Sequence, residues 1–303
     1  NTHLTSMIES MLNTRLEELT QKADAPFIQA FAGDGDYLLS KTKGAFMGIA
    51  AAKEDGILTA TEALMREIER VRQFGFTASE YARAKADYLR SLEVAYNERD
   101  KQRTNSYVKE YVRHFIDNEP IPGIENEYPL MNQIVPNIPV EAVNQVVKQL
   151  IQEKNIALSV FCPEKEGMKY PTEAELKAVI DKVKAEKLEP YVDKVSNEPL
   201  LKEKPQAGKV VKTEQGAFGS TILTLSNGVR VIVKPTDFKA DEIRMKAFSP
   251  GGNSLFDDKD VLQFSVMNEV VPLGGLGNFS AVDLSKVLAG KVASVNASVS
   301  TLT

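Results

Sequence analysis

Residues 27–52, FIQAFAGDGDYLLSKTKGAFMGIAAA, place two short apolar runs on either side of a polar stretch. The runs at 27–32 and 44–52 have the length and composition of β-strands, and the glycines and aspartates at 33–36 predict a turn region between them. The residues before them favour a helix, because apolar side chains recur there at steps of three and four: Leu4, Met7, Ile8, Met11, Leu12, Leu16 and Leu19. The chain is therefore predicted to open with an amphipathic helix and two strands.

Helices dominate the next hundred residues. Thr59 with Glu62 and Thr77 with Glu80 each have the spacing of a capping box, and Gly75 stands where a helix end favours a left-handed residue. The helix after Thr77 is predicted to run to about residue 99. Further helices are predicted at 107–116, ending before the prolines at 120 and 122, and at 140–151, followed by a strand at 156–161.

The composition and apolar periodicity of the sequence then change. Residues 189–219 are rich in proline, lysine and glutamate and lack apolar periodicity, which is typical of a linker. Asn227-Gly228 lies between two β runs at 221–233 and predicts a hairpin with a two-residue type I′ turn. A strand at 241–249 and a helix at 260–271 follow. We predict an α+β fold with an antiparallel-rich sheet covered by helices, divided into domains 1–188 and 220–303 with a linker at 189–219.

Composition limits the classes of partner. The chain has 303 residues, 43% of them hydrophobic, with a formal net charge of -5. This acidic balance argues against nucleic acid as a partner, and no apolar run is long enough to predict a transmembrane segment. The single cysteine, Cys162, ends the apolar run of the predicted strand and is predicted to be a buried, inert thiol.

A glycine cluster at 274–277 is the first candidate for a binding site. The stretch from Gly275 to Ser280 approaches a dinucleotide-binding pattern, but that pattern requires a strand before the glycines and a helix opening from them. Here the predicted helix precedes the glycines. The cluster is therefore interpreted as a turn that ends a helix.

The other candidate residues do not converge in sequence. His3, His114 and Cys162 are widely separated, and a metal site needs several such ligands together. Asp34 and Asp36 lack the remaining acidic positions of a calcium loop and are interpreted as part of a polar turn. The serine–lysine spacing of residues 40–43 lacks the other motifs of serine–lysine enzymes. No catalytic, cofactor-binding or metal-binding residue is assigned.

Several longer stretches resemble one family. The hairpin 224–235, the strand 243–252 and the glycine cluster at 274–280 look like the start of a pitrilysin/insulinase-type zinc metallopeptidase domain. The opening helix with LNTRL at 12–16, GAFMGI at 44–49 and EIERVRQFGFTASEY at 67–81 are similar to the second domain of such proteins. The resemblance implies insulinase/processing-peptidase-like domains along nearly the whole chain.

The resemblance also implies where the chemistry lies. In the family, a first domain carries His-x-x-Glu-His, which supplies two zinc ligands and the general base. Over that motif, this chain has Ser265, Asn268 and Glu269 in place of the first histidine, the base and the second histidine. Zinc is therefore expected in an upstream catalytic domain of the same polypeptide, and this chain is expected to be inactive and to help enclose unfolded peptide substrates.

Two functional alternatives follow. The chain is either the non-catalytic portion of a zinc peptidase or a scaffold or partner subunit of the same fold whose parent has no zinc site. The helical start at residue 4 and the strand-like pattern at 292–301 lead us to expect a piece of a longer polypeptide. The compartment, the oligomeric state and the cleavage preference are not predicted.

Overall fold

The two predicted strands form an antiparallel hairpin. The computed structural model describes residues 2–37, 40, 42–196 and 198–303. Strands β1 (Gln29–Asp36) and β2 (Gly44–Ala51) pair along their full length, with Gln29 opposite Ala51 and Asp36 opposite Gly44. The stretch 33–36 was predicted as a turn but continues β1, because each of its residues has a pairing partner on β2.

Helices make up most of the rest of residues 2–188. They are α1 (Thr2–Thr20), α2 (Ile57–Phe74), α3 (Ala78–Asn97), α4 (Thr104–Asp117), α5 (Ile124–Ile134), α6 (Val140–Leu150) and α7 (Glu173–Ala185). Short 3₁₀ turns lie at Arg99–Lys101 and Val135–Asn137. Helices α5 and α7 were not predicted, although α7 opens with a capping box between Thr172 and Glu175. No helix in the described ranges is both long and apolar enough to cross a membrane.

Two of the three predicted helix signals are confirmed. At the start of α3, Glu80 accepts the Thr77 backbone N–H at 2.8 Å and donates its own N–H to the Thr77 hydroxyl at 3.3 Å. Gly75 ends α2 with φ 71°. The box at Thr59 is wrong, because α2 already begins at Ile57 after Gly56 and Thr59 lies inside its first turn.

The core lies where α1 and α2 cover one face of the hairpin. Its α1 side chains recur with the predicted helical period and are almost fully buried: Met7, Ile8, Met11, Leu12 and Leu16. Phe27, Leu64, Val71 and the α6 residues Val143 and Val147 complete the same cluster. Full burial of one such side chain contributes about 1.5–3 kcal/mol, so this face of α1 fixes the helix on the sheet.

The C-terminal part contains a second sheet and two helices. Strands β3 (Val210–Gln215), β4 (Thr221–Leu225) and β5 (Arg230–Val233) pair antiparallel in that order. Helices α8 (Val261–Leu273) and α9 (Ala281–Val287) follow, and 3₁₀ turns lie at Ala217–Gly219, Gly252–Leu255 and Asp258–Asp260.

The predicted β4–β5 hairpin is confirmed, but its turn type is wrong. Leu225 accepts the Gly228 N–H and donates its own N–H to Val229, which closes a three-residue loop. Gly228 has φ 86°. Such a loop is a type I turn followed by a left-handed residue that forms a bulge. Gly228 is that residue, whereas the predicted two-residue type I′ turn contains no bulge.

Three other predicted strands are wrong. Residues 156–161, 241–249 and 292–301, all within the described ranges, have no strand pairing. Their alternating side chains remain in solvent, as Ile243 (98% exposed) and Val295 (94%) show. Cys162, at the end of the first of these segments, is half-buried rather than buried. Alternation indicates that a segment can pair, but it does not determine whether a partner strand lies beside it.

The chain divides into two compact units. One comprises Asn1–Arg90, Leu130–Val195 and Val282–Ala293, and the other Ser91–Pro129, Ser196–Ala281 and Ser294–Thr303. These two units are defined by contacts between residues. The domains 1–188 and 220–303 and the linker 189–219 were instead predicted from sequence composition and from the family resemblance. The domain boundaries therefore stay a prediction.

Candidate functional site

The β1–β2 hairpin has one closed edge and one open edge. On β1, the Asn13 side chain from α1 donates to the Ala32 carbonyl and accepts the Ala32 N–H, both at 2.8 Å. Glu9, also on α1, accepts the N–H of Asp34 at 2.9 Å. Side chains of α1 therefore use the backbone groups that another strand would need, and they close this edge.

The opposite edge belongs to β2. Gly48 is the register partner of Ala32, so its backbone N–H and C=O point away from β1, toward the outer edge. Within the described residues, β2 pairs with β1 alone. An extended peptide could add there as a third strand.

The sheet face away from α1 and α2 carries apolar side chains. Phe31 and Ile49 are directly opposite each other in the register and are 53% and 64% exposed. The other face is occupied, because a Cβ on Gly48 would lie 2.8 Å from Ile68 of α2. A strand added to the β2 edge would therefore extend an exposed sheet face that is already apolar at Phe31 and Ile49. We call the β2 edge with Phe31 and Ile49 the candidate peptide edge.

A buried arginine holds the helices behind this hairpin. Arg15 of α1 is 2% exposed and donates to both Glu80 oxygens, at 2.6 and 2.8 Å, and to Glu67 at 3.3 Å. It also donates to the Gly75 carbonyl at 3.1 Å, and its guanidinium lies over the rings of Phe76 and Tyr191. Burial alone would lower the pKa of Arg15, but the bonds to Glu80 and Glu67 outweigh it and raise that pKa.

A second charged network lies beside the first. Asp193 accepts two bonds from Arg83, at 2.8 and 3.0 Å, and one from Ser79. Burial alone would raise the pKa of Asp193, but these bonds hold it below its ordinary value. Lys286 of α9 completes the network with Asp193 at 3.2 Å and Glu18 at 2.6 Å.

The Lys286 amine is almost completely buried, with a side chain 4% exposed. Burial alone would lower the pKa of Lys286, whereas its bonds to Glu18 and Tyr191 raise it, and the net direction is upward. A cavity of about 180 Å³ opens beside it and is also lined by Arg83. Both cations are already paired with carboxylates, so the arrangement serves to join segments distant in sequence.

The helix aligned with the zinc motif has no ligand set. Asn268 donates to the Val299 carbonyl at 3.3 Å and accepts the Val299 N–H at 2.8 Å. Its side-chain amide therefore binds the backbone at Val299. Glu269 is exposed, and the Ser265 side chain lies outside the described part. In the described part of the chain, no three histidines, cysteines or carboxylates converge as metal ligands. These residues do not fit zinc.

The glycine cluster forms the predicted turn after α8. Leu276 and Phe279 exchange backbone hydrogen bonds at 2.9 and 3.0 Å, and Gly275 and Gly277 have φ of 73° and 61°. A Cβ on Gly275 would lie 2.0 Å from the Phe279 carbonyl. The glycines therefore serve a tight backbone reversal that follows a helix.

The remaining candidates lie apart. His3 bonds to the Tyr88 hydroxyl at 2.9 Å, and His114 lies at the surface with Nδ1 2.6 Å from the Glu119 carbonyl. Asp34 and Asp36 lie on β1 and not in a turn. The pKa of Asp34 is raised by burial. In the serine–lysine spacing of residues 40–43, the Ser40 hydroxyl lies 3.4 Å from the Thr42 hydroxyl and Lys43 is exposed.

Comparison with known proteins agrees with this fold. The chain is 30% identical over 217 residues to a protein of Arabidopsis thaliana described as "Zinc protease PQQL-like", covering 70% of this chain and 22% of that protein. It is 23% identical over 282 residues to "Probable zinc protease PqqL" of Escherichia coli strain K12, covering 93% and 30%. The sequence matches no protein-family model.

Two solved structures share the fold. The periplasmic protease PqqL from Escherichia coli aligns with a TM-score of 0.50 at 23% identity, over 94% of this chain and 32% of that one. A predicted insulinase family protease from Yersinia pestis aligns with a TM-score of 0.50 at 12% identity, over 60% and 38%. Together, these relatives and structures support the identification of the chain as a fragment of a pitrilysin/insulinase-like zinc protease. The chain spans less than a third of the length of the curated relatives it matches.

Proposed function

We propose that this chain is a non-catalytic portion of a zinc metalloendopeptidase and that it helps to enclose and bind peptide substrates. The observation that carries the proposal is the open β2 edge beside an edge that Asn13 closes. Backbone hydrogen bonds along such an edge bind extended chains with little regard to sequence. The catalytic zinc would belong to another domain of the longer protein.

Strand addition requires backbone N–H groups on the peptide. An unstructured peptide should bind, and the same peptide N-methylated at every residue of its central segment should not, because successive N–H groups of a strand point to opposite edges and full methylation leaves neither edge able to donate. We would measure both by fluorescence anisotropy of a labelled peptide. Equal binding of the two peptides would show that backbone pairing is not the mode of recognition.

A matched pair of variants tests the location. Ile49 and Ile232 are both 64% exposed on strands, but Ile232 lies on β5 of the other sheet. Ile49→Lys should weaken peptide binding, because it places a charge on the open apolar face, whereas Ile232→Lys should leave binding unchanged. Loss of binding in both variants, or in neither, would rule out the candidate peptide edge.

The purified chain is proposed to be inactive by itself. Its histidines are His3 and His114, which lie on α1 and α4, and α8 lacks the His-x-x-Glu-His residues. It should neither hold one equivalent of zinc nor cleave a quenched peptide. Chelator-sensitive cleavage with stoichiometric zinc would overturn this.

The second candidate function is a scaffold or partner subunit whose parent lacks zinc. Both curated relatives are named as zinc proteases, and this favours the first candidate. The parent reading frame decides between the two: His-x-x-Glu-His upstream, with a further glutamate downstream of it, supports the peptidase, and its absence supports the scaffold.

A further inference from the structure

Helix α4 presents a continuous apolar face to solvent. Its large apolar side chains follow two rows at steps of four, and their exposed fractions run from 37% to 90%: Tyr107, Val108, Tyr111, Val112, Phe115 and Ile116. No residue of α4 is buried. We call these six side chains the α4 face.

The contacts that α4 makes leave this face uncovered. The Tyr107 hydroxyl donates to the Arg99 carbonyl at 3.2 Å, and Arg113 pairs with Glu119 at 3.0 Å. Asn118 ends the helix in a left-handed conformation. These contacts fix the two ends of α4. Helices of this length gain most of their stability from packing of an apolar face, and contiguous exposed apolar surface of this kind marks an interaction site.

The ends of the α4 face differ in charge. Lys101 and Arg103 lie at its N-terminal end and are exposed, whereas Asp117 and the ion pair of Arg113 with Glu119 lie at its C-terminal end. A complementary surface would therefore be apolar at its centre and acidic near the start of α4. This asymmetry sets the orientation of the partner.

We propose that the α4 face is covered by another domain of the same longer polypeptide. The chain spans 22% and 30% of its curated relatives and 32% of the periplasmic protease whose fold it shares. A polypeptide of that length supplies further surface at high effective concentration, because it is covalently attached. The proposal rests on the family relation and not on peptide binding.

Cysteine labelling tests this contact. In a Cys162→Ser background, Phe115→Cys reports on the α4 face, and Phe218→Cys is the matched control, because the two phenylalanines are 90% and 93% exposed. Each variant is made both in the 303-residue chain and in the full polypeptide, and its rate of reaction with a thiol reagent is measured. Val108→Cys gives a second reading of the same face.

The expected result is protection that depends on the rest of the polypeptide. Labelling at position 115 should slow by at least about tenfold in the full polypeptide, as for a site that must open before it reacts, whereas position 218 should label equally in both. Equal labelling at 115 in the two proteins would overturn the proposal. Protection in the 303-residue chain alone, with a doubled mass by light scattering, would identify a second copy as the occupant and would also overturn it.

Discussion

Replacement of Arg15 by methionine should be among the most destabilising single changes in this protein. The guanidinium is 2% exposed and holds two carboxylates, Glu80 and Glu67, that are 5% and 3% exposed. Methionine keeps much of the side-chain volume but leaves both carboxylates buried without this cation. Removal of one partner from a buried ion pair costs about 3–5 kcal/mol, because the carboxylate left behind has little solvent to replace the lost cation. Glu67 keeps its ion pair with Arg70, so we expect Glu80 to account for most of the loss.

Urea unfolding followed by circular dichroism measures this loss, and a thermal melt should show a decrease in Tm of about 6–20 °C. Arg113→Met is the matched control, because Arg113 and Glu119 form an ion pair at 3.0 Å with side chains 55% and 47% exposed. Such surface pairs contribute about 0–1 kcal/mol. If Arg15→Met costs no more than Arg113→Met, the reasoning about the buried charges is refuted.

A double-mutant cycle separates the ion pair from packing. Arg15→Met combined with Glu80→Gln should cost less than the sum of the two single changes, because the neutral amide no longer needs the cation. The coupling should reach about 0.5–3 kcal/mol, as for other residues in direct contact. Additive losses would mean that Arg15 acts through its contacts with the Phe76 and Tyr191 rings and not through Glu80.

Three further changes probe other parts of the first unit. The raised pKa of Lys286 means that its contribution is complete below the unfolded value of about 10.4 and is lost as the pH rises beyond it. Unfolding at pH 9 and pH 11 should therefore show a smaller alkaline loss of stability in Lys286→Met than in the wild type. Gly75→Ala should cost about 1–3 kcal/mol, because φ is 71° there, whereas Gly35→Ala, with open space around its Cβ, should cost less by chemical denaturation. Asn13→Ala should speed hydrogen exchange of the Ala32 amide in NMR spectra, since that amide donates to Asn13; unchanged exchange would mean that Asn13 does not protect this edge.

Much of the fold follows from local signals in the sequence. The period of α1, the Thr77–Glu80 capping box, the positive φ of Gly75 and the hairpin at Asn227-Gly228 each depend on a few neighbouring residues, so the sequence alone predicts them. The sequence alone likewise shows that the zinc-motif residues are absent at 265–269. Thr59 shows the limit of such signals, because a capping box also requires the helix to start there, and α2 starts at Ile57.

The tertiary structure decided whatever depends on residues distant in the chain. The strands predicted at 156–161 and 241–249 have suitable alternation but no strand pairing, because alternation alone does not determine which segments join a sheet. Closure of the β1 edge depends on Asn13, 19 residues before Ala32, and burial of Arg15 depends on Glu80, 65 residues away. Periodicity shows which side of a segment is apolar, but only the packed chain determines which charges become buried together and which edge of a sheet stays open.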